Sequence, residues 1–436
     1  MLLVNLPYVV ALGFGLSVVI LLWSIKSKKY IGAFDIGIVF YYFHVFYRPL
    51  FFNYCYDFID KDLYYWDEQA YVYGVLSSVI LINIFQIGYL LGRRKISNFN
   101  SMHEVSLLYK KYLQKSIPIY IFFVFLYFYV FLSGSFNLEG GSESVRVPGF
   151  QYVWPLIVTS MFFAILFSGI LAYLTREKRY IFLFVTMLLL GLVFGRRGYL
   201  IGPIICLLFL ISYHRGCILG KKNIISIDLK LLAIMLFFLL VIFGGKGGWN
   251  GVVSLLSGVT FGRNSLVCNV ITRGHQEFDL LWPAIIHNYD ALNFTKIPGA
   301  LIGNFLPHNL RLLHFEEFYS ATDRLMMLYN RDTYLNDKFG ISPDFYQFYV
   351  YYFGVFSLPI VLLLGYLSRY IESRLYPLFS NGKPFLMLGF STMGGLLIGP
   401  FDMTLKYTLA NVAAIFIFAF LVKLRWTRIA QKSSFK

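Results

Sequence analysis

Long apolar runs alternate with short polar connectors along this chain, and most of the runs are long enough to cross a bilayer. The pattern predicts eleven helices, at 4–23, 31–52, 69–92, 117–133, 151–174, 180–194, 199–214, 231–245, 346–367, 384–400 and 406–422. It changes character once. From 246 to 345 the runs give way to mixed charge, Gly, Pro and scattered apolar residues. A connector of that length inside a helical bundle is either functional or disordered. Its interspersed Trp, Phe, Leu and Ile argue against disorder. Two stretches within it, 252–261 and 297–307, are apolar yet too short to span, which suits re-entrant or interfacial segments. The expected fold is all-α: a polytopic integral membrane bundle of about eleven helices forming one domain, 1–436, with 246–345 as a large loop within it.

Composition sharpens the class. A hydrophobic fraction of 58%, a charged fraction of 14% and a mean hydropathy of +0.65 exclude an ordinary soluble domain. The net charge of +16 raises nucleic acid as a partner, but its distribution points elsewhere. If the connectors alternate between two sides, one side holds 24 of the 38 Lys and Arg and only 4 of the 22 Asp and Glu. That is the positive-inside bias of a membrane protein, so no nucleic-acid partner is expected. It places the N-terminus outside, the C-terminus inside and the large loop outside. The first apolar run lacks a basic lead-in and a small-residue cleavage site, so it reads as a retained helix. Four Cys without metal spacing give neither a zinc site nor a disulfide framework.

Charge on the outer side supplies the candidate chemistry. Arg196 and Arg197 open a helix between Gly195 and Gly198 on the side that positive-inside bias leaves poor in arginine. Guanidinium forks grip phosphate oxygens two at a time, and flanking glycines let a phosphate approach the backbone. Arg263, at the end of the 252–261 segment, stands where a charge needs a partner or a task. Arg311 and Arg324 complete the candidate anion-binding set. Head-group anchoring is the plain alternative for each of them. Lys246 within GGKGG lacks the spacing of a nucleotide loop. The candidate acids and bases are Asp290, His308, Glu316, Glu317 and Asp344. His308 has an ordinary pKa suited to proton abstraction near neutrality. Asp60 and Asp62 are spaced like a metal-holding carboxylate pair, a match that arises readily by chance in so acidic a connector. No metal and no cofactor are expected. Span interiors are nearly free of charge, with Asp35, His44 and Arg48 as exceptions in the second span.

GRRGYLIG (195–202), KIPGALIGNFLP (296–307) and ISPDFYQFYVYYFGVFSLPIVLLLGYL (341–367), set in a many-helix chain with one large late loop, resemble the O-antigen polymerase family. These are bacterial oligosaccharide repeat-unit polymerases, similar in architecture to membrane-embedded type C glycosyltransferases. Gln347 and Phe348 stand where an acidic residue is expected shortly before Gly354, with Asp344 further back. The resemblance implies glycosyl transfer between undecaprenyl-diphosphate-linked oligosaccharides at the periplasmic face of a bacterial inner membrane. Membrane lipid is a further partner, and a chain-length regulator protein is another expected one. Two alternatives are an O-antigen ligase, with the same donor and a lipid A core acceptor, and a non-catalytic lipid-linked oligosaccharide translocase.

Overall fold

The structure is a computed structural model that describes residues 2–42, 45–46, 49–50, 67–92, 102–132, 150–193, 198–218, 281–288, 293–303, 305, 316–329, 345–381, 383–395 and 401–433. Every regular element among them is helical. In chain order they are α1 (Leu2–Lys28), α2 (Ala33–Tyr42), α3 (Glu68–Leu91), α4 (Met102–Leu132), α5 (Phe150–Thr175), α6 (Lys178–Val193) and α7 (Gly198–Tyr213). There follow α8 (281–288), α9 (Ile297–Gly303), α10 (Ala321–Tyr329), α11 (Phe345–Phe353), α12 (Ser357–Ser380), α13 (Pro384–Gly395) and α14 (Phe401–Ser433). The predicted helix at 231–245 lies outside the described residues.

Among the described residues, four helical stretches are long and apolar enough by length and composition to cross a bilayer: Asn5–Lys28, Glu68–Leu91, Pro155–Thr175 and Phe345–Phe379, the last of them folded back on itself. Shorter apolar helices run through Gly202–Gly216, Pro384–Met393 and Thr408–Lys423. Large apolar side chains stand exposed on the bundle's outside, among them Leu12, Val19, Phe122, Phe125, Phe182 and Phe420. Surface of that extent needs hydrocarbon around it.

Helices α3 and α12 pack backbone to backbone, and glycines permit it. A Cβ at Gly88 would collide with the Leu362 carbonyl, one at Gly365 with the Phe85 carbonyl, and one at Gly92 with the Tyr366 carbonyl. Small residues at such crossings let backbones touch, the usual basis of helix packing in membranes. The pairing also fixes direction: 362 beside 88 and 369 beside 92 make α3 and α12 parallel.

The predicted helix at 346–367 is interrupted. A straight helix would put Phe345 about 30 Å from Gly365. Yet the Phe345 ring lies 5.8 Å from that of Phe85, whose carbonyl abuts Gly365. The chain folds back at Gly354, where φ is 49°, a backbone region that favours glycine. A single 3-10 turn, Gly354–Phe356, joins the two arms. Thus α11 is a short re-entrant helix of aromatic residues, buried from Phe345 to Tyr352. Apolar content alone could not reveal the turn, because both arms bury apolar side chains.

Two apolar cores result. One gathers α4 to α7 with the later part of α12, α13 and α14, with Phe163 stacked on Phe418 and Tyr213 on Tyr376. The other gathers α1, α2, α3, α8, α11 and the start of α12.

Candidate functional site

At the end of α3 marked by Asp67, polar chemistry sits on an apolar groove. The groove has a volume of about 350 Å³ and runs between α3 (Tyr73, Ser77, Ile80), α8 (Ile286) and the α11–α12 turn (Gly354, Leu358). Its rim is exposed at Tyr73, Ile80 and Val355, so it opens sideways from the bundle. The hydroxyl of Ser77 is turned onto the Tyr73 carbonyl, which leaves its wall largely hydrocarbon.

Asp67 and His287 stand beside the groove. Asp67 caps α3, accepting from the backbone N–H groups of Gln69 at 2.8 Å and Ala70 at 3.2 Å. Its second oxygen meets His287 Nε2 at 2.7 Å. The Ala70 N–H, helped by His287 and the Gln69 N–H, holds the Asp67 carboxyl below its ordinary pKa. His287 is the residue after groove-lining Ile286. It is brought there because Trp282, one turn and more earlier on α8, seats against Gly74 of α3. The imidazole is about half exposed and is held by one carboxylate, the arrangement of an oriented general base. Asp67 and His287 are 220 residues apart, so no sequence pattern links them. The one legible signal is Asp67-Glu68-Gln69, a helix-start pattern that announces the cap and says nothing of its partner.

Of the candidate acids, bases and anion-binding arginines, three are described: Glu316, Glu317 and Arg324. Glu316 and Glu317 form a 3-10 turn with exposed side chains. Arg324 donates through Nη2 to the carbonyls of Glu316 at 3.0 Å and Glu317 at 3.3 Å, and through Nε to that of Tyr319 at 3.2 Å. That use accounts for the guanidinium as a clamp on the turn. The turn in turn packs on α9, with Gly299 against the Glu317 carbonyl. Ser320 and Asp323 form a capping box at the start of α10, with Asp323 accepting from the Ser320 N–H at 2.8 Å. Asn293 ties the segment to the re-entrant helix by donating to the Tyr351 carbonyl at 3.0 Å. Arg196, Arg197, Arg263, Arg311, Asp290, His308 and Asp344 lie outside the described residues, as do Asp60 and Asp62.

The opposite end of the bundle corrects the expectation of charge-free span interiors. Lys28, Asp35, Arg369 and Glu372 are all buried there. Lys28 Nζ pairs with Asp35 and donates to Tyr89 OH at 2.7 Å. It also lies 3.6 Å from Glu372. Arg369 donates to Glu372 at 2.9 Å and to Tyr30 OH at 2.7 Å. The N–H groups of Gly32 and Phe34 donate to Asp35 and Glu372 in turn, while Asp35 Oδ1 stays buried with no hydrogen-bond partner among the described residues. Two cations and two anions thus neutralise one another across α1, α2, α3 and α12. The sequence assigned Lys28, Arg369 and Glu372 to solvated connectors; helices longer than the apolar runs carry them inside.

Among the described residues no group of three His, Cys, Asp or Glu is placed to hold a metal ion. Comparison with protein-family models, with curated proteins and with solved structures gives no match.

Proposed function

We propose that this protein is a polytopic membrane glycosyltransferase that joins undecaprenyl-diphosphate-linked oligosaccharides into a surface polysaccharide, as the family resemblance implies. The Asp67 end faces the periplasm and the Lys28 end the cytoplasm of a bacterial inner membrane, with about eleven spans and 246–345 as the periplasmic loop. One observation supports the reading: an apolar groove, open sideways, is lined by Ile286, the residue before His287 of an oriented carboxylate–imidazole pair. Such a groove suits a polyprenyl chain arriving from the bilayer, and the pair suits sugar chemistry at the surface above it.

In this reading His287 takes the proton from an acceptor hydroxyl while Asp67 stabilises the imidazolium that forms. The acceptor oxygen bonds to the anomeric carbon of the donor's reducing-end sugar. The bond from that carbon to the diphosphate oxygen breaks, and its electron pair leaves with the lipid diphosphate. Arg196, Arg197 and Arg263 are the proposed partners of that departing charge. The energy resides in the donor, so no nucleotide is required.

The test is polymer yield from purified protein in nanodiscs supplied with lipid-linked repeat units. Arg→Lys at 196, 197 or 263 should lower the rate roughly a hundred- to a thousandfold, since fork geometry as well as charge is at stake. Folded variants that polymerise at the wild-type rate would remove the diphosphate assignment. Transfer only to a lipid A core acceptor would make the protein a ligase instead. A translocase would carry charge into its cavity. The two larger cavities described for this chain are lined by no charged side chain.

A further inference from the structure

Helix α8 carries His287, and a helix of so few turns takes its orientation from packing and not from itself. Two contacts pin it. Near its start Trp282 seats against Gly74 of α3. At its other end stands Asn288, the residue after His287, whose carbonyl accepts from Nδ2 of Asn293 at 3.1 Å. The same Nδ2 donates to the Tyr351 carbonyl, in the last turn of α11, at 3.0 Å. Helix ends leave carbonyls without partners along the chain, and one amide with two N–H groups answers two such ends at once. Asn293 opens the 3-10 turn Asn293–Lys296 and is only 2% exposed. Lys296 Nζ donates to its Oδ1 at 2.6 Å. That contact decides which way the amide faces: oxygen to the ammonium, nitrogen to the two carbonyls.

We infer that Asn293 is a positioning residue for His287, acting through the backbone of α8. The groove residues Ile286 and Val350 stand within two positions of the carbonyls that Asn293 binds. The amide is therefore a buried tie between two walls of the groove, one on α8 and one on α11. It sits where α8 presents its imidazole to Asp67. Groove width and imidazole direction are thus set together, by one side chain that the sequence places outside both helices. Removing the two donors frees the end of α8 from α11, and His287 loses its register with Asp67 and with the groove. The positioning rests on geometry alone. What it is worth in turnover rests on the proposed function.

The experiment uses the full chain in nanodiscs, with its histidine rings labelled with nitrogen-15 and read by NMR without substrate. The His287 signals are those lost in His287→Ala. Asn293→Leu and Asn293→Asp both keep the side chain's outline and remove both donors, and only the second adds a charge. Each should move the His287 ring nitrogens toward their positions in Asp67→Asn, while the remaining histidines keep theirs. Lys296→Met alters an exposed residue and leaves both donors in place, so it guards against a folding defect in the first two. It should give the same shift at smaller size. In the polymer assay Asn293→Leu should lower turnover roughly a hundredfold, as a misplacement of about 1 Å can. In a His287→Ala background the same change should cost nothing further, whereas a merely structural role would cost as much in either background. Unmoved His287 signals in the folded variants, or an equal loss with and without His287, overturns the assignment. If His287→Ala polymerises like the parent, the base reading fails, and the nitrogen shifts still decide whether Asn293 positions the ring.

Discussion

The two ends of this bundle treat charge in opposite ways. At the Lys28 end four charges on α1, α2 and α12 are buried, each within reach of an opposite partner, with the Tyr89 hydroxyl of α3 joining them. At the Asp67 end one carboxylate and one imidazole sit partly exposed, and a nearby turn leaves two glutamates outward. Burying ions costs several kcal/mol each after relaxation, so a buried set persists only where opposite charges offset that cost at close range. An exposed pair contributes about 0–1 kcal/mol, so stability gives no reason for it to be so well oriented. The difference separates a lock from a tool. The buried network fixes how α1, α2, α3 and α12 stand together, and the partly exposed pair is the one proposed to meet a substrate.

Breaking the lock is the largest effect expected. Lys28→Met leaves Asp35 buried without its cation, and should cost about 3–5 kcal/mol of stability. Unfolding of the purified protein in detergent, by heat or denaturant, measures it. Pairing Lys28→Met with Asp35→Leu should recover part of the loss, because the orphaned carboxylate is then gone. A single variant as stable as the parent would mean that the four charges are not coupled as described.

The tool should respond in the other currency. His287→Ala is expected to lower polymer formation about a hundredfold or more, the usual contribution of a positioned base. Its unfolding midpoint should barely move, since the pair it breaks is exposed. Activity near the parent level with normal folding would move the base elsewhere, first to the sequence candidates His308 and Asp290.

The sequence made one of these regions half legible and hid the other. Apolar runs announced most of the described helices, but α4 begins at Met102 and not 117, α12 runs to Ser380 and not 367, and α14 runs to Ser433 and not 422; most other ends moved by a few residues. Those few residues mattered. Extending α1 from 23 to Lys28 carried an ammonium from a presumed connector into the bundle. The run at 346–367 gave no sign of its reversal, because period and hydropathy report burial and are blind to direction; Gly354 marks the turn only once its φ is known. Arg324 is an anion-ligand candidate because arginine in an outer loop invites that role, and its bonds to three carbonyls depend on a turn that no spacing encodes. Tertiary pairing of Asp67 with His287 was beyond any local pattern.

The smallest expected effect separates the two duties of Asp67. It caps α3 and it holds His287, and two substitutions divide these. Asp67→Ala removes the acceptor for the Gln69 and Ala70 N–H groups, and should cost about 1 kcal/mol. Asp67→Asn keeps a capping oxygen and discards the charge, so its stability should match the parent within a few tenths of a kcal/mol. Its activity should nonetheless fall, because a neutral amide no longer stabilises the imidazolium. Acid gives an independent check with a definite sign. The folded pKa of Asp67 lies below its unfolded value, so its contribution is complete above roughly pH 4 and is lost as pH falls through the folded value. Subtracting the Asp67→Asn unfolding profile from that of the parent should therefore leave a slope confined to that acid range. A flat difference would mean that the carboxylate is not held by the helix start, and an Asn variant of full activity would leave Asp67 as a cap and nothing more.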